Sequence, residues 1–450
     1  MSLYSSLFGY ALRLNNFLKG KSVYKLYNDL LKEQYLPKYK IEAFQLVRLN
    51  KLLAHAYEKS PYYKNLFQEN NIAAVGKIDF DNLQNIPLLK REDLQNHLDE
   101  IKCPGLNLYK DSSGGSTGNP VNFYHDDNYI LWSEVHNLLF LSWMGIKPGD
   151  KTAIFWGAAR DLKDLSFGDK FYNNIYRIKQ LNSFSMSDKN IMEFIDKLNS
   201  FKPEYIYGYV SSLFLASEFI INNNLSINKP RALRSSAEML YDYQRTTIEK
   251  AFNTKVYNFY GSREVNNIAS ECSEHNGLHV FASGRIVEIV DDQGVAVPDG
   301  EIGMVAVTDL TNYAFPFIRY LNGDIASYKK SNDSCSCGRD YPILEKIIGR
   351  SSDIIVINGH YIHGEYFTHL FYNHPDIIQF QLIQEEDGSL SLLYISEREK
   401  LNIDDIVDKI KNKVGGNITL NLKRVDRIEP TASGKHRFTI SKLATTYKKQ

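Results

Sequence analysis

The chain has 450 residues, a length that predicts one large domain together with a smaller one. Its 53 basic and 53 acidic side chains cancel, so the net charge gives no indication of a nucleic-acid partner or of an anionic membrane surface. A content of 43% hydrophobic and 13% aromatic residues is enough for a substantial core and argues against a disordered protein.

The first twenty residues, MSLYSSLFGYALRLNNFLKG, lack the basic start and the small-residue cleavage site of a signal peptide. Arg13, Asn15 and Asn16 also interrupt their apolar run. No later window approaches 18 uncharged apolar residues, so we expect no transmembrane segment. Four cysteines are too few for a disulfide framework and indicate a reducing compartment. Together these features predict a cytoplasmic protein.

The segment 42–58 predicts an amphipathic helix that ends at Ser60 and Pro61. Its apolar residues at roughly helical spacing are Phe44, Val47, Leu52, Leu53 and Ala56.

Short apolar runs then alternate with helical windows along the chain. The segments are 151–156, 190–201, 204–210, 213–221 and 255–261. This alternation predicts an α/β fold built on a largely parallel sheet.

From about residue 285 the pattern changes to β-rich runs separated by Asp-Gln-Gly and Pro-Asp-Gly turns, which is typical of antiparallel strands. We therefore predict a large N-terminal domain, 1–348, of mixed α/β layers with a β-rich part at about 281–345. A small α+β domain, 349–450, is predicted to follow.

Residues 111–120, DSSGGSTGNP, look like a phosphate-binding loop but lack the lysine of the Gly-x4-Gly-Lys-Ser/Thr signature. Taken alone, the run fits a polar surface turn equally well. Five further segments follow it in a fixed order. They are SAE (236–238), YNFYGSRE (257–264), FIRYLNGD (317–324), GRSSD (349–353) and SGKHR (433–437).

This ordered set resembles the motifs of the adenylate-forming (ANL) superfamily, which includes acyl-CoA synthetases and the adenylation domains of peptide synthetases. Segments 54–67 and 83–94 are similar to the phenylacetate–CoA ligase branch and its capsular-polysaccharide-biosynthesis relatives. The resemblance implies a large domain closed by a small mobile one. It also implies an AMP-forming ligase: a carboxylic acid and ATP give acyl-AMP and pyrophosphate, and the acyl group then passes to coenzyme A.

In such enzymes the glycine-rich loop follows the departing pyrophosphate with backbone N–H groups and hydroxyls. The residues implied are Ser112, Ser113, Gly114, Gly115, Ser116, Thr117 and Gly118. Asn119 stands where relatives often have lysine. We therefore expect weaker phosphate binding by this loop, with Mg²⁺ neutralising more of the charge.

The resemblance implies that Glu264 binds Mg²⁺ and that Tyr260 packs on adenine. It also implies that Asp324 accepts hydrogen bonds from the ribose hydroxyls, with Arg350 as its partner. The full implied adenine and ribose set is Ser236, Ala237, Glu238, Tyr260, Gly261, Ser262, Asp324 and Arg350. The alternatives are a core aromatic for Tyr260, a surface carboxylate for Glu264 and a surface ion pair for Asp324 and Arg350.

Lys435 is the implied catalytic lysine, which reaches the site when the small domain closes and bridges carboxylate and α-phosphate oxygens. The alternative is a solvated lysine of the C-terminal segment. Ser352 takes the hinge position, where relatives usually have Asp or Lys, and this departure puts the domain rotation in doubt.

Cys335 and Cys337 in CSCG, with Cys272 and His279 in ECSEHNGLH, have the composition of a structural Cys3His zinc site. His275 is the alternate imidazole, and free thiols are the alternative interpretation. Four protein ligands leave no open position for water, so the expected zinc holds loops together.

Two other functions remain open. One is an adenylating enzyme that transfers its acyl group to a carrier protein or to an amine in surface-polysaccharide biosynthesis, and the other is a nucleotide-binding scaffold that has lost turnover. The expected partners are a small carboxylic acid and coenzyme A or a carrier protein, with no nucleic acid, in a monomer or homodimer. We expect the acid near 207–209 and 235–238.

Overall fold

The computed structural model describes residues 8, 22–72, 78–113, 121–156, 167–182, 188–330, 333–350, 354–357, 360–372, 374–398, 401–414, 419–429 and 437–442. Among the helices of these ranges, none combines the length and the apolar character needed to cross a membrane. The helices are α1 (Val23–Glu33), α2 (Lys38–Lys59), α3 (Pro61–Glu69), α4 (Phe80–Leu83), α5 (Arg91–Asn96), α6 (Leu98–Ile101), α7 (Asp127–Trp143), α8 (Phe167–Ile175), α9 (Asp188–Phe201), α10 (Val210–Asn222), α11 (Asp242–Phe252), α12 (Gly364–Tyr372) and α13 (Asp404–Val414).

The strands form five separate sheets. They are β1 (Tyr109–Ser112), β2 (Asn122–His125), β3 (Thr152–Trp156), β4 (Ile178–Asn182), β5 (Tyr205–Tyr209), β6 (Ala232–Ser236), β7 (Val256–Tyr257), β8 (Phe259–Tyr260), β9 (Ala269–Glu271), β10 (Leu278–Val280), β11 (Arg285–Val290), β12 (Ile302–Asp309), β13 (Tyr320–Tyr328), β14 (Ile343–Arg350), β15 (Ile354–Ile357), β16 (His360–His363), β17 (Gln379–Gln384), β18 (Leu390–Ile395), β19 (Leu420–Arg424) and β20 (Thr439–Ser441).

The predicted parallel sheet is confirmed, with strand order β4-β3-β5-β6-β7. One face packs on α9, α10 and α11, and residues of α7 lie against the other. Burial on both faces explains why these strands read as continuous apolar runs. Gly208 belongs to this packing, because a Cβ there would lie 2.5 Å from the Cβ of Phe155.

The predicted antiparallel strands form a seven-stranded sheet in the order β11-β12-β13-β14-β10-β9-β8. Every pair in it is antiparallel. The chain crosses from the parallel sheet to this one at Asn258, between β7 and β8. The motif at 257–264 therefore lies at the junction of the two sheets.

The helix predicted at 42–58 is α2, and it ends as expected at Ser60, whose hydroxyl accepts from the backbone N of Tyr63. The prediction of its buried face was wrong for Phe44 and Val47, which are 43% and 70% exposed. The buried seam instead follows the i, i+4 rows of the helix. Its members are Ile41, Gln45, Leu49, Leu52, Leu53 and Ala56.

The C-terminal region has a four-stranded sheet, in the order β19-β18-β17-β20, and the hairpin β15–β16. A separate hydrophobic core, whose buried members run from Ile355 to Ile410, joins these strands to α12 and α13. The domain boundary at 348 stays a prediction, and β14 continues past it to Arg350.

Candidate active site

A tyrosine and an aspartate, both buried, meet on the antiparallel sheet. The Tyr260 hydroxyl donates to Asp324 Oδ2 at 2.8 Å and accepts from Asn322 Nδ2 at 2.6 Å. Asp324 faces Arg350 across the β13–β14 ladder, with Arg350 Nε 3.0 Å from Asp324 Oδ1. Burial and the Asp324 carboxylate raise the pKa of Tyr260 well above its ordinary value, so the phenol stays a hydrogen-bond donor. Asp324 is therefore held from both sides.

Four charged side chains act on a second buried ring, Tyr320 of β13. Burial raises the pKa of Tyr320; the carboxylates of Glu264 and Asp324 add to the rise, while Arg91 and Arg350 oppose it. The motif residues 264, 324 and 350 therefore share one electrostatic environment with an arginine of α5. Arg91 lies in the segment 83–94, to which the sequence analysis assigned no role at the site.

A tight turn presents Glu264. The backbone N of Ser262 donates to the carbonyl of Val265, and the backbone N of Val265 donates to Ser262 Oγ. Gly261 is needed there, because a Cβ would lie 3.0 Å from the backbone N of Asn267. Glu264 is only 7% exposed, and its carboxylate has no hydrogen bond to any residue of the described ranges.

The ends of the glycine-rich loop are held together. The backbone N of Ser113 donates to the carbonyl of Val121, and the backbone N of Val121 donates to Ser113 Oγ. Arg91 Nη2 also donates to Ser113 Oγ, at 3.1 Å. Arg263 lies 3.7 Å from Asp111 on the adjoining strand β1. Two guanidinium groups therefore lie at the base of a loop that lacks the usual lysine.

Several predicted residues lie outside the described residues. They are Gly114, Gly115, Ser116, Thr117 and Gly118 of the loop, Ser352 of the hinge, and Lys435. Ser112 is described as the last residue of β1, paired with Asn122.

The segment 236–238 leaves the parallel sheet at the end of β6. Ala237 adopts a φ of 67°, a left-handed conformation that a residue with a Cβ rarely takes. The Glu238 carboxylate accepts from the backbone N of Ser211 at 2.7 Å and from its hydroxyl at 3.0 Å. It therefore caps the N-terminus of α10, and the backbone of 236–238 is what this segment offers to a ligand.

The four residues of the predicted zinc site lie together. One ligand atom from each of Cys272, His279, Cys335 and Cys337 lies within 4.8 Å of the others. The Cys272 and Cys335 sulfurs are 3.7 Å apart, and Cys337 Sγ is 3.3 Å from His279 Nε2. Tetrahedral zinc with Zn–S bonds of 2.3 Å sets sulfurs about 3.8 Å apart. The cluster fits a single zinc ion.

The thiols of this cluster have unlike environments. Burial raises the pKa of Cys272 to about 12, and burial also raises the pKa of Cys335. Burial favours a raised pKa for Cys337 as well, but hydrogen bonds with His279 and Arg339 outweigh it and lower the pKa to about 5. His275, the alternate imidazole, instead faces Glu271 at 2.8 Å.

A cavity of about 380 Å³ lies between α7, β6 and residues 266–267. Arg234 on its wall is two residues before Ser236, and Asn266 on another wall is two residues after Glu264. The cavity therefore adjoins both segments of the predicted nucleotide site. That the acid binds near 235–238 stays a prediction.

Comparison with known proteins gives consistent relatives. The model of the CapK C-terminal domain family matches residues 354–442. Protein CapK of Staphylococcus aureus is 26% identical over 409 residues, with 88% of each chain covered. A phenylacetate-coenzyme A ligase of Thermus thermophilus is 26% identical over 373 residues, covering 79% of this chain and 80% of that protein.

Among solved structures, 2-hydroxyisobutyryl-CoA ligase in the postadenylation state, in complex with R3-HIB-AMP, superposes with a TM-score of 0.72 at 19% identity. The match covers 91% of both chains. The chain is thus similar over most of its length to CapK and to phenylacetate-coenzyme A ligases, and it shares the fold of 2-hydroxyisobutyryl-CoA ligase.

These similarities confirm the resemblance inferred from the ordered motifs. Two polar residues of the site were missed by sequence reasoning. Asn322 lies inside the quoted motif YLNGD, whose spacing could have indicated it. Arg91 lies within the segment 83–94, whose resemblance gave it no role, and the fold brings it to Ser113.

Proposed function

We propose that the protein activates a carboxylic acid with ATP and transfers the acyl group to coenzyme A. The observation that carries the proposal is Asp324, a buried carboxylate fixed by Tyr260 and Arg350. The closed base of the glycine-rich loop, with Arg91 on Ser113, provides the adjoining phosphate site. These groups match a nucleotide with its ribose at Asp324 and its triphosphate toward the loop.

In the first step a carboxylate oxygen of the acid attacks the α-phosphorus of ATP. The bond from the α-phosphorus to the oxygen that bridges to the β-phosphate breaks, and pyrophosphate leaves with that electron pair. Asp324 accepts hydrogen bonds from the ribose hydroxyls and thereby holds the nucleotide with its α-phosphorus in position. Tyr260 and Arg350 orient the Asp324 carboxylate. Arg91 and Arg263 offer positive charge where the pyrophosphate departs.

Glu264 is the residue that would hold Mg²⁺, since its carboxylate is buried and accepts no hydrogen bond within the described part of the chain. Mg²⁺ bound there supplies positive charge to the triphosphate. We assign to Lys435 a contact with the reacting carboxylate and α-phosphate oxygens.

In the second step the thiol sulfur of coenzyme A attacks the acyl carbon. The bond from that carbon to the phosphate oxygen breaks, AMP leaves with the electron pair, and the thiol proton passes to solvent. Coenzyme A is named in solved structures of 2-hydroxyisobutyryl-CoA ligase, which share this fold. A carrier-protein thiol or a sugar amine is the alternative acceptor.

The test has two stages. Purified protein is incubated with ATP, Mg²⁺, labelled pyrophosphate and a panel of acids, and the proposal expects acid-dependent return of label into ATP. Coenzyme A, a carrier protein and amino sugars then compete for the preformed acyl-adenylate, and coenzyme A is expected to win. Binding of ATP without exchange by any acid would favour the scaffold alternative.

We also propose that the cluster of Cys272, His279, Cys335 and Cys337 holds a structural zinc ion. Two short turns build it: the backbone N of His275 donates to the Cys272 carbonyl, and the backbone N of Gly338 donates to the Cys335 carbonyl. With four protein ligands the ion has no open coordination position. It would join β9 and β10 to the segment that leads into β14.

A further inference from the structure

We infer that the acid carries an oxygen substituent on its acyl chain, as in a hydroxy acid or a dicarboxylic acid, and that Arg234 binds that oxygen. This inference rests on the proposed function and concerns the cavity between α7, β6 and residues 266–267. At about 380 Å³ the cavity suits a small acid.

A series of side-chain contacts joins the wall of the cavity to Glu264 of the proposed adenylation site. Tyr129, on one wall, accepts at its hydroxyl from the backbone N of Asn266, at 3.0 Å. Its ring stacks on His125, with centroids 3.8 Å apart, and His125 contacts the Glu264 carbonyl at 3.3 Å. A molecule in the cavity therefore lies one layer of side chains from Glu264.

The walls are mainly polar. Apart from Tyr129 and Ile130, the lining side chains are Ser133, Glu134, Asn137, Arg234, Asn266 and Asn267. A hydrocarbon or unsubstituted aryl group placed there would remove water from these groups without replacing its hydrogen bonds. A polar group that is buried without a hydrogen-bond partner weakens binding. The lining therefore disfavours acids whose acyl chain has no polar atom.

Arg234 is held in a fixed orientation by aromatic rings. Its guanidinium carbon lies 3.7 Å from the ring centroid of Phe259, 5.3 Å from Phe140 and 5.5 Å from Tyr207. Among the described residues, its terminal nitrogens make one weak hydrogen bond, from Nη1 to Asn137 Oδ1 at 3.3 Å. Its Nε is buried without a partner among the described residues. A guanidinium stacked in this way has donors left for a ligand.

The remaining polar groups leave complementary sites. Asn266 and Asn267 both donate to Ser133 Oγ, at 3.1 and 3.3 Å, and the Ser133 hydroxyl hydrogen meets no acceptor among the described residues. Asn137 engages Arg234 through its oxygen, which leaves its NH2 group as a donor. Ser133, Asn137 and Arg234 all line the cavity, so an oxygen with lone pairs is the matching ligand group.

The experiment compares acids that differ in one group. Butyrate, 3-hydroxybutyrate and succinate have four carbons each, and phenylacetate supplies an unsubstituted aryl group. Acid-dependent ATP–pyrophosphate exchange is measured for each. We expect kcat/KM for 3-hydroxybutyrate or succinate to exceed that for butyrate and phenylacetate at least tenfold, and the better of the two identifies the oxygen as hydroxyl or carboxylate.

The variant Arg234→Met keeps much of the side-chain length and removes the donors. We expect it to lower kcat/KM for the preferred oxygenated acid at least tenfold, to leave KM for ATP unchanged and not to lower exchange with butyrate. Arg234→Lys keeps the charge, and its kcat/KM for the preferred oxygenated acid is expected to lie between the values for the wild type and Arg234→Met. Lys197→Gln, an exposed change on α9, is the matched control, and melting curves check that each variant is folded.

The outcomes separate the two proposals. Faster exchange with butyrate or phenylacetate than with either oxygenated acid leaves adenylation standing and overturns this inference. An equal loss in Arg234→Met for all acids also overturns it, because the arginine would then act only in packing. Exchange with no acid overturns the proposed function, and this inference with it.

Discussion

The proposed contact between Asp324 and the ribose hydroxyls can be tested with substitutions that change single atoms. Asp324→Asn keeps the size of the side chain but removes the charge that its hydroxyl partners would meet. Hydrogen bonds to a charged group contribute about 1.5–3 kcal/mol, so we expect KM for ATP to rise about tenfold or more. The measurement is exchange at varied ATP.

Tyr260→Phe is the matched control for Asp324→Asn. It removes only the hydroxyl that donates to Asp324 and leaves the ring in place. A smaller rise in KM for ATP is expected than for Asp324→Asn. An unchanged KM in Asp324→Asn would contradict the ribose assignment.

His136 gives a prediction about pH. It is fully buried, its Nε2 lies 3.1 Å from Ser283 Oγ, and burial followed by the charges of Arg285 and Arg48 lowers its pKa well below the ordinary value. The unfolded chain therefore takes up a proton near pH 6.5 that the native protein does not. The stabilisation is present above that pH and is lost as the pH falls, by up to about 1.4 kcal/mol per pH unit.

His136→Gln retains a hydrogen-bonding group toward Ser283 and removes the titration. We expect the free energy of unfolding to fall less between pH 7 and pH 5.5 in this variant than in the wild type, as measured by urea denaturation. His97→Gln, whose histidine side chain is 40% exposed, serves as control and should keep the wild-type slope. If the free energy of unfolding depends equally on pH in all three proteins, His136 is not the group responsible for the loss of stability at low pH.

At the scale of elements, α5 and the β1–β2 hairpin meet through one side chain. Arg91 is the first residue of α5, and its guanidinium reaches Ser113 at the base of the glycine-rich loop. We expect Arg91→Gln to raise KM for pyrophosphate in the exchange reaction about tenfold, because a cation beside the leaving group is lost. KM for the acid should change less.

Lys110→Gln is the matched control for Arg91→Gln, since it removes an exposed cation from the same hairpin. It should leave KM for pyrophosphate at the wild-type value. If both variants behave alike, Arg91 contributes only general charge and has no specific place at the loop.

Whether a feature could be predicted from the sequence depends on how far apart along the chain the residues in contact are. The parallel strands were predictable because burial on both faces leaves continuous apolar runs such as 151–156. The resemblance placed Tyr260 and Asp324 in one nucleotide site, but the hydrogen bond between them was not predicted. The placement of Arg91 beside Ser113, and of Arg234 on the rings of Phe140 and Phe259, depends on tertiary packing that no local pattern records.

At the scale of the whole molecule, the cysteine cluster ties distant segments together. We expect about one zinc per chain, and we expect Cys335→Ser to lose the metal and lower the melting temperature by several degrees, because metal binding adds to folding free energy. Metal analysis and calorimetry measure both quantities. Cys103→Ser changes a buried cysteine outside the cluster and should keep the zinc. Wild-type protein with reduced thiols and no zinc would remove the assignment.

Lys435 tests the role of the C-terminal region. In Lys435→Ala we expect adenylate formation to fall at least a hundredfold, while transfer from supplied acyl-adenylate to coenzyme A survives. Lys442→Ala is the control, since Lys442 pairs with Glu385 within the C-terminal region. Equal loss of both half-reactions in Lys435→Ala would argue against a role confined to the first step.

Asn266 and Asn267 lie two and three residues after Glu264, and this closeness has a consequence for redesigning the enzyme. Both amides follow the acidic residue on the same turn, and Arg285 holds that turn by donating twice to the Asn266 carbonyl. Exchanging these amides to alter selectivity would therefore disturb turnover as well. Glu134 and Asn137 belong to a separate helix and line the same cavity, so a library for new acids is better placed there than at Ser133, which accepts from both amides.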